Sequence, residues 1–230
     1  MSEWWTYGAR DLLLFSSRTY YRLFELYNLE WWPLQLAALG LGLAVLGLWR
    51  HGGDRAVRAI AVIVALGWLW IAWAFHAQRY ASINLAAGYF AWAFAVQALL
   101  LLWLGGVRGQ LAPAPAARLQ RRAGLGLLLF SVLAFPLMAP LLGRGWTQAE
   151  VFGMAPDPTA LATLGILLLA GGRPAWVLFP IPVAWCLISG ATLWAMDASD
   201  SAIVPLAALL AVGLAVASRP RRAGGAQPGR

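Results

Sequence analysis

The 230-residue chain is 61% hydrophobic and only 11% charged. A soluble domain carries roughly 25% charged residues, so too little charge is present to cover a water-facing surface, and a soluble domain is excluded. The net charge is +8 and all 17 basic residues are arginine. They fall in short stretches between apolar runs, which is the positive-inside pattern and excludes a nucleic-acid footprint.

The absence of lysine removes a retinal Schiff base, which needs a lysine amine. Cys186 is the single cysteine, so no intrachain disulfide and no cysteine metal site can form. It reads as a small buried hydrophobe.

In chain order, the N-terminus does not read as a cleavable signal. Glu3 and Asp11 interrupt it, and Leu12 to Phe15 is too short for an apolar core of ~7–15 residues. Residues 11–28 are expected to form an interfacial amphipathic helix. Within SRTYYRLFELYN (17–28), Arg18, Arg22 and Glu25 share one helical face, while Tyr20, Leu23, Phe24 and Tyr27 share the other. Such a helix lies in the headgroup plane or docks on protein, and the pattern leaves both open.

Seven spans follow, at about 32–49, 56–75, 83–104, 123–142, 158–170, 175–194 and 202–217, with a basic tail at 218–230. Trp31, Trp32 and Trp49 bracket the first as an aromatic belt, and Pro33 suits its first turn. A short polar turn with His76, Gln78, Arg79, Tyr80 and Asn84 joins the second and third. Pro136 and Pro140 are expected to kink the fourth. In the loop at 143–158, Thr147 and Glu150 have capping-box spacing, and Asp157-Pro158 matches an N-cap with proline after it. The fifth span is short for a crossing.

Seven crossings place 12 arginines in loops and tail on one side against five on the other, with eight of the nine acidic residues on the arginine-poor side. This bias predicts an outer N-terminus and a cytoplasmic C-terminus. A re-entrant fifth span would turn the acidic 195–201 loop to the cytoplasm, against the charge pattern. The expected fold is all-α: one polytopic bundle over 1–230, of about seven transmembrane helices plus the interfacial helix.

The segments FSSRTYYRLFELYN (15–28), INLAAGYF (83–90) and VFGMAPDPT (151–159), the last running into LGILLLA, together resemble signatures of a family of small bacterial multi-pass membrane proteins, a domain of unknown function. The resemblance implies fold and an inner-membrane location, and no activity. It also implies a cysteine between the two prolines of the third segment, where this chain has Asp157.

The candidate site is an outer vestibule that would bind substrate through His76, Arg79, Tyr80, Asn84, Asp157 and Asp197, with Glu150 and Asp200 from the same loops. Ionisable residues at such a mouth are candidates for function; Arg79 would hold an anion bidentately. The bland reading makes His76 and Arg79 interface markers, Tyr80 a belt residue and Asn84 an N-cap. Gln35, Gln97, Ser131, Ser189 and Thr192 lie inside spans and are expected to bond across helices. Trp92 and Trp185, near mid-span, are expected to pack.

No cofactor motif and no metal-ligand spacing is present. Expected partners are the lipid bilayer and a membrane-protein partner or second copy. The functional expectation is a small permease or channel-like protein, because transport sites often sit at broken helices. An accessory or scaffold subunit is the alternative, and an intramembrane enzyme pairing His76 with Asp157 or Asp197 is the third reading.

Overall fold

The computed structural model describes residues 15–113, 117–170 and 172–218. Residues 11–14 of the interfacial helix and nearly all of the basic tail lie outside them. Among the described residues the structure is helical, without strands. The helices are α1 (Ser17–Glu30), α2 (Leu34–His51), α3 (Asp54–Trp70), α4 (Ala87–Leu100), α5 (Arg118–Leu129), α6 (Met138–Leu141), α7 (Pro156–Ala170), α8 (Gly172–Leu178), α9 (Pro180–Ala195) and α10 (Ile203–Ala217).

Several run on through irregular turns. Helix α3 continues in a π-helical stretch, Ile71–Ala77, and α4 in another, Leu101–Val107. After α5 the chain passes through a π-helical turn, Phe130–Ala134, and a 3₁₀ turn, Phe135–Leu137, before α6. Pro136 accounts for the second change, since it has no N–H to give the ladder. The second half of this span is broken as its prolines predict.

Five helical stretches are long and apolar enough to cross a bilayer: Leu34–His51, Asp54–Ser82, Ala87–Val107, Arg118–Leu141 and Ala175–Ala195. Pro156–Ala170 and Ile203–Ala217 are apolar but only 15 residues each, about 22 Å at 1.5 Å per residue. Among the described residues, five of the seven expected spans therefore meet the length for a crossing, and the other two appear as these shorter apolar helices.

Helix α7 is the centre of the fold. Every residue from Pro156 to Ala170 is buried, as a helix that is apolar all round requires. Its closest neighbour is α5: a Cβ on Gly124 would lie 2.8 Å from the Gly165 carbonyl oxygen, and one on Gly165 would lie 2.7 Å from that of Gly124. Two facing glycines let the backbones touch. Further close crossings occur where Gly105 meets Ala61 and where Gly190 meets Pro205.

Polar side chains inside the bundle mostly bond backbone carbonyls that helix geometry leaves free. The Leu178 carbonyl faces Pro182 four residues on, which has no N–H, and Gln97 Nε2 donates to it at 3.1 Å. The Leu168 carbonyl belongs to the last turn of α7 and accepts from Gln120 Nε2 at 2.8 Å. Ser131 and Thr192 instead bond back to Leu127 and Ile188 of their own helices, while Gln35 reaches Asn28 on α1.

Helix α1 docks on protein: Tyr20, Leu23, Phe24 and Tyr27 are buried. The Phe24 and Tyr27 rings pack on Phe75 at 5.0 and 5.6 Å. This settles the choice between headgroup plane and protein for its aromatic face. Pro33 precedes α2, outside its first turn. The expected capping box is absent: residues Trp146–Gln148 form one 3₁₀ turn with no side-chain cap, and Glu150 is buried because it points inward. Asp157 lies inside α7, after Pro156, so it is not the N-cap.

Candidate functional site

The loops at 78–86, 143–155 and 196–202 and helix α1 meet at one end of the bundle. Asn28 Nδ2 donates to the carbonyls of Thr147 and Ala149. Ser17 Oγ donates to the Met196 carbonyl, Arg79 pairs with Glu30, and Arg144 Nη2 donates to Asp200 Oδ2 at 3.0 Å.

The segment 151–155 does not loop outward. Phe152, Met154 and Ala155 are buried. Gly153 takes a positive φ of 79°, which suits glycine, and its Cα sits where a Cβ on Gly67 would be 2.9 Å away. The Gly153 N–H donates to Thr159 Oγ1 at 2.8 Å, and that hydroxyl donates to the Ala155 carbonyl at 2.8 Å. The Tyr27 hydroxyl donates to the Met154 carbonyl at 3.1 Å and accepts from Trp70 Nε1 at 2.7 Å. These bonds fold the segment under α1 and deliver Asp157 into the interior at the start of α7.

Asp157 is only 3% exposed. Its two oxygens accept from different donors on α9: Trp185 Nε1 at 2.7 Å and Ser189 Oγ at 2.7 Å. Trp185 and Ser189 lie four residues apart, one helical turn, so both face Asp157. The position suits negative charge, since it lies in the first turn of a helix.

Glu150 is 9% exposed and lines the same small cavity of about 10 Å³ as Asp157 and Asp200. A cavity this size is at the lower bound for a single water. Glu150 Oε2 is buried without a hydrogen-bond partner. Burial pushes the Glu150 carboxyl well above its usual range, the Asp157 charge raises it further, and Arg144 works against both. Asp200 is tied to Arg144, and the Arg144 guanidinium also lies over the Tyr21 ring, 4.4 Å from its centre. Asp157 thus has a donor on each oxygen, while the neighbouring Glu150 keeps one oxygen without a partner.

The six vestibule residues do not share one cavity. His76 is fully buried in a ring of aromatics: Phe94 at 4.4 Å, Trp185 at 4.9 Å, Phe75 at 5.3 Å, and Tyr80 and Phe90 at 5.9 Å between centres. Both its ring nitrogens lack a partner. The Trp185 indole touches both groups, its ring against His76 and its N–H on Asp157, so His76 forms no acid–base pair with a carboxylate. Tyr80 is buried in the same cluster. Asn84 Oδ1 accepts from the Ala86 N–H at 2.8 Å, an Asx turn before α4. Arg79 lies at the surface with Glu30. Asp197 sits at the end of α9 with φ 55°.

Ser189 bonds across helices and Trp185 packs among aromatics, as expected; that both also hold the Asp157 carboxylate is not visible in the sequence. The signal for them was Asp157 itself, an acid opening a helix with no other charge. Trp92 is 77% exposed and points out of the bundle, against the packing expected of it. Among the described residues, no group of three or more His, Cys, Asp and Glu is placed to hold a metal.

The profile of a family of unknown function (DUF6064) matches residues 17–224. No curated protein and no solved structure matches.

Proposed function

The chain belongs to that family of unknown function, DUF6064, and since membership carries no activity with it, we propose from the site alone that this is a multi-pass membrane protein of small-permease type. In this reading the protein is channel-like, and Glu150 and Asp157 relay protons through the bundle. The observation that carries it is the buried Glu150 carboxyl, with one oxygen unpartnered, beside an Asp157 whose oxygens both accept hydrogen bonds. Ionisable groups inside a membrane bundle are costly and mark substrate, ion or proton paths.

The membrane placement is a bacterial cytoplasmic membrane crossed seven times, with the N-terminus outside. Three observations support it. The arginine-poor loops gather at one end, as seven crossings require. The Arg144–Asp200 pair ties the loop before α7 to the loop after α9, so α7 and the α8–α9 pair run in opposite directions. The large apolar side chains left exposed, among them Leu36, Leu99, Trp103 and Leu206, suit a lipid surround.

The accessory-subunit reading rests on a lack of ionisable groups in the spans, and Asp157, buried in the first turn of α7, weighs against it. The enzyme reading needed His76 within reach of a carboxylate, and both its nitrogens are unpartnered.

The test is proton flux into liposomes holding the purified protein, under an imposed pH gradient with potassium and valinomycin. Wild type is expected to acidify the interior faster than protein-free liposomes, and Glu150→Gln or Asp157→Asn to lower the rate at least about tenfold, the usual scale for losing a proton-transfer group. Wild-type flux equal to empty liposomes would remove the reading.

A further inference from the structure

A surface cleft of about 690 Å³ opens between α1 and the turn at 79–83. Three guanidinium groups line it: Arg18 and Arg22 from α1, and Arg79 from the turn. Thr19, Ser82 and Gln148 add polar groups, Glu25 is the one carboxylate in the lining, and Leu23 and Leu26 give it an apolar floor. Arg22 pairs with Glu25 and Arg79 with Glu30, but no ion pair forms at Arg18 among the described residues.

The arginines sit where α1 alone would not want them. Arg18 lies in the first turn of the helix, at the positive end of its dipole, and that turn holds no acidic residue. Arg18 and Arg22 are four apart, so they repel across one turn. Glu25 already offsets the charge on Arg22, so an anion in the cleft acts mainly at Arg18, where it meets the dipole end and a guanidinium unpaired among the described residues.

We propose that this cleft binds a phosphoryl group through Arg18, Arg22 and Arg79. Three guanidinium groups suit an anion with three acceptor oxygens spread around one centre, whereas a carboxylate is satisfied by a single fork. The apolar floor admits a ligand with a greasy stem, so the phosphoryl group belongs to a lipid headgroup or to a soluble phosphate. The inference does not rest on the transport reading, because binding is measured without flux.

The test is thermal shift and calorimetric titration of the detergent-purified full chain. The probes are inorganic phosphate and dihexanoyl phosphatidic acid, with chloride and acetate at matched ionic strength. Wild type is expected to bind at least one phosphoryl probe saturably and to ignore chloride and acetate. Binding of inorganic phosphate assigns a soluble source, and binding of the lipid alone assigns a headgroup. Arg18→Gln, an exposed substitution that leaves the fold intact, is expected to weaken binding about tenfold, the scale of one hydrogen bond to a charged group. Arg118→Gln, at the start of α5 and outside the cleft, is expected to leave it unchanged. No saturable binding of either phosphoryl probe, equal binding of acetate, or undiminished binding by Arg18→Gln would each overturn the proposal.

Discussion

At the scale of single residues, the proton on Glu150 and the donors on Asp157 are the features most open to test. Glu150 has a raised pKa because burial disfavours its charged form, and the Asp157 charge adds to this. The unfolded chain releases this proton near the ordinary value of about 4.3, while the folded protein keeps it to higher pH. The folded state then binds the extra proton, so stability is greatest below about 4.3 and falls as pH rises above it. Glu150→Gln, which cannot ionise, is expected to melt ~2–4 °C above wild type near pH 8, with the difference closing toward pH 4. A constant difference across that range in thermal melts would refute the assignment. Trp185→Phe removes one of the two donors to Asp157 and is expected to cost about 1–3 kcal/mol, read as a lower denaturation midpoint at neutral pH. His76 is a contrasting case. Its nitrogens have no partners and its ring packs among aromatics, so His76→Phe is expected to keep or raise the melting temperature. A drop of several degrees would mean that the imidazole makes hydrogen bonds in the membrane-bound protein.

At the scale of elements, the glycine contact between α5 and α7 carries the architecture. Gly124 and Gly165 bring backbone against backbone, and a methyl group at either would meet a carbonyl oxygen below 3 Å. Gly124→Ala is therefore expected to destabilise by about 1–3 kcal/mol through overpacking. Gly126, on the same helix, has nothing within 4 Å of its would-be Cβ. Gly126→Ala is expected to be neutral or to stabilise by up to about 1 kcal/mol, since alanine favours helix. Thermal melts of the two variants in one detergent check both, and equal losses would show that the crossing is looser than described. The same logic explains why α7 tolerates two prolines: Pro156 and Pro158 fall in its first turn, where N–H groups have no helical partner.

At the scale of the whole molecule, the proposed seven crossings would place the 195–201 loop outside and the tail in the cytoplasm. Labelling of intact cells with an impermeant maleimide is expected to modify Ser199→Cys directly and Gly225→Cys only after permeabilisation; Cys186 is buried and gives no background. The reverse pattern would invert the topology and with it the outer placement of both sites. Helical class, the approximate positions of the helices and the grouping of the loops at one end were legible in the residues. Apolar run length and arginine bias are properties of the chain against its solvent, and need no partner to express them. The amphipathic pattern of α1 was equally plain, but not whether lipid or protein would cover it. The site was not legible. His76 and Tyr80 stand beside Arg79 in the chain, yet a π-helical turn and an aromatic cluster carry them inward while Arg79 stays at the surface. Asp157 looked like an N-cap because local spacing says nothing of the Trp185 and Ser189 donors 28 and 32 residues away. Sequence alone determined what the chain avoids, which is water. Only the tertiary structure decided which polar groups satisfy one another inside it, because burial and hydrogen bonding are settled between helices and not along them.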